Sequence, residues 1–143
     1  MLFRSRIGDR PLHRSRSTEQ AAAAAYRMAG LDDPATAVQV AELHAPSSAH
    51  ELMLAESLGL VRNGDPCRSF LDESGPRLNP SGGALGADAV FAGGLVRAAE
   101  AALQLSGRAD QRQVAEARRA VSHGHSGPFL QANTVFVMER FDA

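Results

Sequence analysis

Three histidines are the side chains best suited to chemistry in this sequence. His44 follows an apolar run that ends at Leu43, and His123 is separated from His125 by one residue. An imidazole can exchange a proton near neutral pH, so each is a candidate for acid–base chemistry. Two imidazoles alone do not define a zinc site, so we expect no metal here. We interpret His123 and His125 as polar residues of a turn.

The single cysteine restricts the remaining chemistry. Cys67 excludes an intrachain disulfide and a cysteine-rich zinc site, and it fits a reducing cytoplasm, where we expect the protein to reside. It lies in a stretch rich in glycine, proline and charge, with no neighbour that would activate its thiol. We therefore expect Cys67 to be non-catalytic.

A glycine-containing segment, Asn79 to Gly83, is the third candidate feature. Glycines allow a ligand to approach the backbone closely, so Ser81, Gly82 and Gly83 are candidates for binding a phosphate group. The alternative is a tight turn that holds the following helix in place. The sequence leaves both interpretations open.

Composition indicates a soluble globular protein that forms one domain. The chain has 143 residues, of which 44% are apolar and 22% charged, and its formal net charge is −1. That charge balance gives no reason to expect nucleic acid or an anionic membrane as a partner. A membrane-spanning helix needs about 18 consecutive apolar residues, and no such run occurs.

The elements that must position these side chains alternate between helices and strands. We predict helices over residues 18–29, 47–58 and 94–105, strands over 37–43, 117–122 and 132–138, and an irregular stretch over 61–77. This order predicts an α/β layered domain, a mixed sheet with helices on its faces. The three histidines then lie at carboxyl ends of strands, where functional groups gather in such sheets.

The N-terminal segment is set apart from this pattern. Residues 1–16 carry five arginines, and residues 2–5 match the translation of a common sequencing adapter. We interpret residues 1–16 as disordered or non-native and residues 17–143 as the folded domain. The natural start of the chain would then be missing.

Several local sequences occur in an order typical of one family. They are Ala25 to Leu31, Glu42-Leu43-His44 followed by Glu51-Leu52, Asn79-Pro80-Ser81-Gly82-Gly83, and Gln104 to Ala109 followed by Gln113-Val114. Together they resemble the C-terminal domain of thiolase-superfamily proteins, especially the sterol-carrier-protein-type thiolases and thiolase-like proteins of bacterial lipid degradation. The resemblance covers residues 21–139 and implies a thiolase-like domain truncated at its N-terminus.

The resemblance implies an acyl-CoA acyltransferase that acts on lipid- or steroid-derived acyl-CoA. Coenzyme A would be a substrate, with no permanently bound cofactor, and the nucleophilic cysteine would come from an N-terminal domain through which the protein forms a homodimer. His44 would help to hold an oxyanion-hole donor or a water, and His44 and His123 are the predicted catalytic residues. Ser81, Gly82 and Gly83 would contact a phosphate or the pantetheine chain.

Two departures from the family pattern keep other functions open. Pro46 stands where sterol-carrier-type proteins have an acid–base cysteine, and Asp88 lies near the position of the family's Gly-His-Pro histidine. One alternative is a lyase that cleaves β-hydroxyacyl-CoA by retro-aldol chemistry with an OB-fold partner protein. Another is a non-catalytic assembly subunit.

We predict that this chain alone does not thiolyse acetoacetyl-CoA in the presence of free CoA. Claisen-type exchange needs a thiolate to carry the acyl group and a second group to move the α-proton, and Cys67 is not expected to supply the first. Loss of the 3-ketoacyl-CoA absorbance in a spectrophotometric assay measures the reaction. Turnover above the rate in protein-free buffer would contradict the prediction.

Overall fold

The computed structural model describes residues 14–61, 65–71, 75–89, 91–127 and 130–141. The expectation that residues 1–13 are disordered or non-native lies outside the described residues. Residues 14–16 belong to the start of the first helix, which begins at Arg16 with Ser15 as its N-cap. The helix therefore begins two residues earlier than predicted, because the Ser15 side chain caps it by accepting a hydrogen bond from the Thr18 backbone N–H.

Helices and strands alternate along the described chain. The helices are α1 (Arg16–Ala29), α2 (Pro34–Ala37), α3 (Ser48–Ser57), α4 (Pro66–Leu71), α5 (Gly83–Gly86) and α6 (Gly93–Leu105), and a 3-10 turn covers Asp110–Arg112. The strands are β1 (Val40–Leu43), β2 (Arg77–Leu78), β3 (Arg119–Ser126) and β4 (Ala132–Glu139).

The four strands form one mixed sheet in the order β2-β1-β3-β4. β1 pairs in parallel with both β2 and β3, whereas β4 runs antiparallel to β3. The α/β mixed sheet with flanking helices is the predicted architecture, and it is confirmed. The register places Leu43 opposite His123, so His44 follows directly at the end of that pair.

Helices cover both faces of the sheet, which explains why all four residues of β1 are buried. On one face, α1 and α3 pack on a cluster that includes Ala22, Tyr26, Leu43, Leu54, Leu58 and Val121. On the other face, α6 contributes Ala101 and Leu105 to a second cluster, which also contains Val40, Ala117 and Ala120. Because neither side of β1 faces water, the strand must lie between the two helical layers.

Two of the predicted strands have different bounds in the structure. The first four residues after Asp33 form the short helix α2, because Asp33 caps it and Pro34 occupies its first turn. β3 continues to Ser126, four residues beyond its predicted end, so the interpretation of His123 and His125 as turn residues is wrong. Both histidines lie within a strand.

The stretch 61–77, predicted to be irregular, contains two elements. α4 covers Pro66–Leu71, and the stretch ends in β2, the short edge strand that pairs with β1. Residues 62–64 and 72–74 lie outside the described part of the chain. The remaining predicted helices agree with α3 and α6 to within one residue at each end.

No helix in the described ranges combines the length and apolar character needed to cross a bilayer.

The first turn of α6 meets β3 without an intervening side chain. A Cβ placed on Gly124 would lie 2.8 Å from the Gly94 Cα, and a Cβ placed on Gly94 would lie 3.0 Å from the Gly124 Cα. Neither glycine has a positive φ, so the reason for glycine here is close approach rather than backbone conformation.

We predict that Gly124→Ala lowers the free energy of unfolding by about 1–3 kcal/mol, because the added methyl group forces α6 and β3 apart. Urea unfolding followed by circular dichroism measures the change. Gly86→Ala is the matched control, since a Cβ there would meet nothing within 4 Å. Equal stability of the two variants would contradict the proposed contact.

Candidate active site

Three histidine rings come together where β1 ends beside β3. We call His44, His123 and His125 the histidine cluster. The His44 backbone N–H donates to the His123 carbonyl oxygen at 3.1 Å, which continues the parallel pairing beyond the end of β1. The rings of His44 and His125 stack with centroids 4.4 Å apart, and the His125 ring lies 5.9 Å from that of His123. The two residues predicted to be catalytic, His44 and His123, are thus neighbours.

The first residue of α6 makes room for the cluster. A Cβ on Gly93 would lie only 2.5 Å from the His44 Nε2, so any larger residue would displace the ring. Gly93 therefore allows the start of α6 to pack directly against the imidazole. The adjacent contact of Gly94 with Gly124 fixes the helix at that distance.

A carboxylate faces the cluster from the segment before α6. The Asp88 Oδ1 lies 3.4 Å from the His44 Nε2. The His44 side chain is 15% exposed and that of Asp88 is 42% exposed, so solvent reaches this edge of the site. Asp88 is positioned to stabilise a positive charge on His44, as carboxylates do for histidines that accept a proton.

Burial makes the other two rings neutral at physiological pH. Desolvation lowers the pKa of His123 to about 4, and the hydrogen bond with Asn133 only partly opposes that effect. Desolvation likewise lowers the pKa of His125 to about 4, and the charge of His44 acts in the same direction. His44 Nδ1, His123 Nδ1 and both ring nitrogens of His125 have no hydrogen-bond partner in the described part of the chain.

The geometry of the cluster does not suit a metal ion. Stacked rings present their faces, not their nitrogens, to each other, whereas a metal needs converging lone pairs. Across the described ranges, no group of three or more His, Cys, Asp or Glu side chains is arranged to hold a metal.

An ion pair lies beneath the site between β1 and α6. The Glu42 carboxylate, which has no solvent exposure, accepts from Arg97 Nη1 at 3.2 Å and from the Ser81 hydroxyl at 2.7 Å. Burial raises the pKa of Glu42, and the hydrogen bonds from Ser81 and the charge of Arg97 oppose that rise. The pair ties the loop after β2 to β1, which ends beside His44, and to α6, whose first residue packs against His44.

The predicted binding loop is held by its own polar groups. The Ser81 backbone N–H also donates to Glu42, at 3.1 Å, and the Gly83 N–H donates to the Ser81 hydroxyl at 3.1 Å. Asn79 fixes the start of the loop, since its Oδ1 accepts from the Leu43 N–H at 2.6 Å. Binding of a phosphate or pantetheine chain by Ser81, Gly82 and Gly83 stays a prediction.

A cleft beside this loop has a volume of about 760 Å³. Asn79, Pro80 and Gly82 line it on one side, and residues of α2 line another. No histidine contributes to its lining, so the acid–base groups lie outside it. The histidine cluster and the cleft are connected through the Asn79 to Gly83 loop and β1.

Sequence reasoning located His44 and His123 but missed the residues that hold them. His125 was assigned to a turn, although two histidines separated by one residue project to the same face when they lie on a strand. Arg97 and Asn133 gave no signal, because each acquires its role from a partner distant in sequence: 55 residues away for Arg97 and 10 for Asn133.

The fold and site define an α/β domain with acid–base side chains at the carboxyl edge of its parallel strands. The model of the thiolase C-terminal domain-like family matches residues 4–140, and the chain belongs to that family.

Two curated relatives show the same kinship. The chain is 37% identical over 113 residues to sterol carrier protein 2 of Gallus gallus, an alignment that covers 74% of this chain and 20% of that protein. It is 33% identical over 124 residues to the acetyl-CoA acetyltransferase of Methanothermobacter thermautotrophicus, covering 82% of this chain and 32% of that protein. The chain thus spans a third or less of the length of these relatives.

We predict that His123 makes stability fall as the pH is lowered. Its pKa is about 4 when folded and near 6.5 when unfolded, so between these values the unfolded chain binds the extra proton. The contribution is fully present above pH 6.5, is lost as the pH falls toward 4, and amounts to about 3 kcal/mol. Unfolding by urea at a series of pH values measures it.

His123→Gln removes this titration. The variant should therefore lose less stability than the wild type between pH 6.5 and 4, whatever its stability at neutral pH. If the free energies of unfolding of the two proteins fall equally with pH, the pKa of His123 is the same in the folded and unfolded states, and the prediction is wrong.

Proposed function

We propose that this chain supplies the acid–base half of a thiolase-family acyltransferase that acts on lipid- or steroid-derived acyl-CoA, with coenzyme A as a substrate. Membership of the family supports the reaction class. The name of the acetyl-CoA acetyltransferase supports an acyl-CoA substrate, and that of sterol carrier protein 2 is in keeping with a lipid.

The observation that carries the proposal is the contact between His44 and Asp88. Claisen-type chemistry requires a base to remove a proton from the carbon next to the thioester carbonyl. A neutral His44 whose Nε2–H points at the Asp88 carboxylate, 3.4 Å away, takes that proton at Nδ1, and the carboxylate stabilises the imidazolium that forms. The electron pair of the C–H bond moves to the thioester as an enolate. The enolate carbon then attacks the acyl group carried on the enzyme's thiolate, and the C–S bond breaks so that the thiolate leaves.

The nucleophile in this proposal comes from outside the chain. Cys67 is exposed on α4, and no residue of the histidine cluster carries a thiol. A thiolate that accepts the acyl group would have to be supplied by another part of the enzyme. We propose that this part also forms the homodimer, and that the enzyme works in the cytoplasm, since a single cysteine suits a reducing compartment.

Ser81, Gly82 and Gly83 are proposed to position the CoA chain. Support comes from the cleft that Pro80 and Gly82 line, which adjoins the loop held by Glu42. A ligand in that cleft would run along the loop toward the end of β1. The reacting thioester would then reach the solvent-exposed edge formed by His44 and Asp88.

A second candidate is the retro-aldol lyase that cleaves β-hydroxyacyl-CoA with an OB-fold partner. Asp88 favours it, because an imidazole–carboxylate pair removes a hydroxyl proton without any thiol. Pro46, next to the cluster in sequence, offers no acid–base group for the thiol-dependent route. The third candidate, a non-catalytic assembly subunit, requires neither step.

We predict that the chain accelerates exchange of the α-protons of acetyl-CoA for deuterium in D2O, because this step needs the base but not the nucleophile. His44→Ala should lower the exchange rate by at least about tenfold, which corresponds to about 1.4 kcal/mol of transition-state stabilisation. Proton NMR of the acetyl methyl signal measures the rate.

Met28→Ala is the control, since the Met28 side chain is 90% exposed on α1. Exchange at the rate of protein-free buffer would contradict the acid–base assignment and favour the assembly subunit. Cleavage of 3-hydroxybutanoyl-CoA to two carbonyl products, released as acetyl-CoA and acetaldehyde, would favour the lyase.

A further inference from the structure

The amide of Asn133 joins the histidine cluster to α1. Asn133 lies on β4, opposite His125 in the antiparallel register. Its Oδ1 lies 2.9 Å from the His123 Nε2 and accepts from the Thr18 hydroxyl at 2.9 Å. Its Nδ2 donates to the Ser17 hydroxyl at 3.0 Å and to the Leu130 carbonyl oxygen at 2.9 Å.

The Leu130 carbonyl fixes which way this amide faces. A carbonyl oxygen can only accept, so the Asn133 atom beside Leu130 must be the nitrogen, which carries both donor hydrogens. Ser17 agrees with this orientation, because its hydroxyl donates to the same carbonyl at 2.7 Å and is left to accept from Asn133. Turning the amide over would place two oxygens against each other.

The orientation of the amide in turn determines the proton on His123. The Asn133 Oδ1 is an acceptor, so the ring nitrogen 2.9 Å from it must donate, and that nitrogen is Nε2. A neutral imidazole carries one proton, and burial keeps this ring neutral. The Nδ1 atom therefore has a lone pair, and it has no partner within the described part of the chain.

Because His123 and its surroundings are buried, one tautomer of the ring is favoured over the other. His123 and Thr18 have no solvent exposure and Ser17 is 6% exposed, so water cannot replace a missing partner. In the other tautomer, two lone pairs would face each other between His123 and Asn133, at a site where a buried polar atom must be satisfied.

We propose that Asn133 is a positioning residue that holds His123 as the Nε2–H tautomer, so that Nδ1 of this buried ring is kept as a hydrogen-bond acceptor. The use of that acceptor in catalysis rests on the function proposed above. The tautomer itself does not, because it follows from the burial of His123 and from the contacts of Asn133 with Leu130, Ser17 and His123.

Long-range proton–nitrogen correlation spectra of the uniformly ¹⁵N-labelled chain at neutral pH test the tautomer directly. We expect Nε2 of His123 to resonate as a protonated nitrogen and Nδ1 as an unprotonated one, with at least about a tenfold excess of this form. The signals that vanish in His123→Gln identify the residue. A wild-type ring that is protonated at Nδ1, or that averages equally between both forms, would overturn the proposal.

Asn133→Ala removes the acceptor and should shift both nitrogen signals of His123 toward the average of the two tautomers. Thr134→Ala, a change at the next residue of β4 on its exposed face, should leave them in place. Unchanged His123 signals in a folded Asn133→Ala protein would overturn the positioning role. If that variant does not fold, Ser17→Ala, which removes one support of the amide, gives the same comparison, and the wild-type spectrum still decides the tautomer.

Deuterium exchange separates this proposal from the proposed function. If both hold, the wild type accelerates α-proton exchange and shows His123 protonated at Nε2, and Thr134→Ala changes neither result. Exchange absent in the wild type, together with the Nε2–H signature, would remove the catalytic role and leave the tautomer established. If the wild type accelerates exchange but His123 is protonated at Nδ1, the proposed function stands and the tautomer proposal is overturned.

Discussion

The parallel pairing of β1 with β3 is the interaction on which the site depends. β1 has four residues, all buried, and its register with β3 sets the positions of two acid–base side chains at once. His44 comes to lie beside His123 because the pairing continues one hydrogen bond past the end of β1. A shift of one residue would turn Glu42 away from Arg97 and move His44 off the stack with His125. The polar contacts on both faces of the sheet therefore specify the same register.

The buried Glu42 shows what the site requires from the rest of the fold. An ionised carboxylate without solvent is costly unless several donors surround it. Here Arg97 arrives from α6 and Ser81 supplies two donors from the loop after β2. Each of these elements also touches the site, α6 through Gly93 and the loop through its link to β1. The charge is thus satisfied only when the surrounding elements are all in place, which makes it a measure of correct assembly.

Local signals in the sequence were sufficient for much of the fold. The helices predicted over residues 47–58 and 94–105 correspond to α3 and α6, whose ends are set by residues close to them in sequence. The buried apolar run through Leu43 indicated a central strand and with it the position of His44. The strand-end argument worked there because the chain leaves the sheet directly after β1.

The same reasoning failed where tertiary contacts override local preference. His123 and His125 were interpreted as turn residues, but both lie in β3. Gly124 between them suits the strand because the first turn of α6 leaves no space there for a side chain. The role of Asn133 depends on a carbonyl oxygen three residues earlier and on hydroxyls more than a hundred residues earlier. No window of sequence contains those partners together, so a single chain read locally cannot reveal them.

The contact between Gly94 and Gly124 also has a mechanical consequence. Side chains that interdigitate can slide past one another by changing rotamer, but two backbones in direct contact have no such freedom. Axial translation of α6 would have to separate the helix from β3 first. Gly93, which packs against His44, and Arg97, which pairs with Glu42, both belong to α6. A movement of the helix at one of these contacts therefore moves the other as well. A ligand that displaces the start of α6 would therefore also strain the contact between Arg97 and the buried Glu42, roughly one helical turn away.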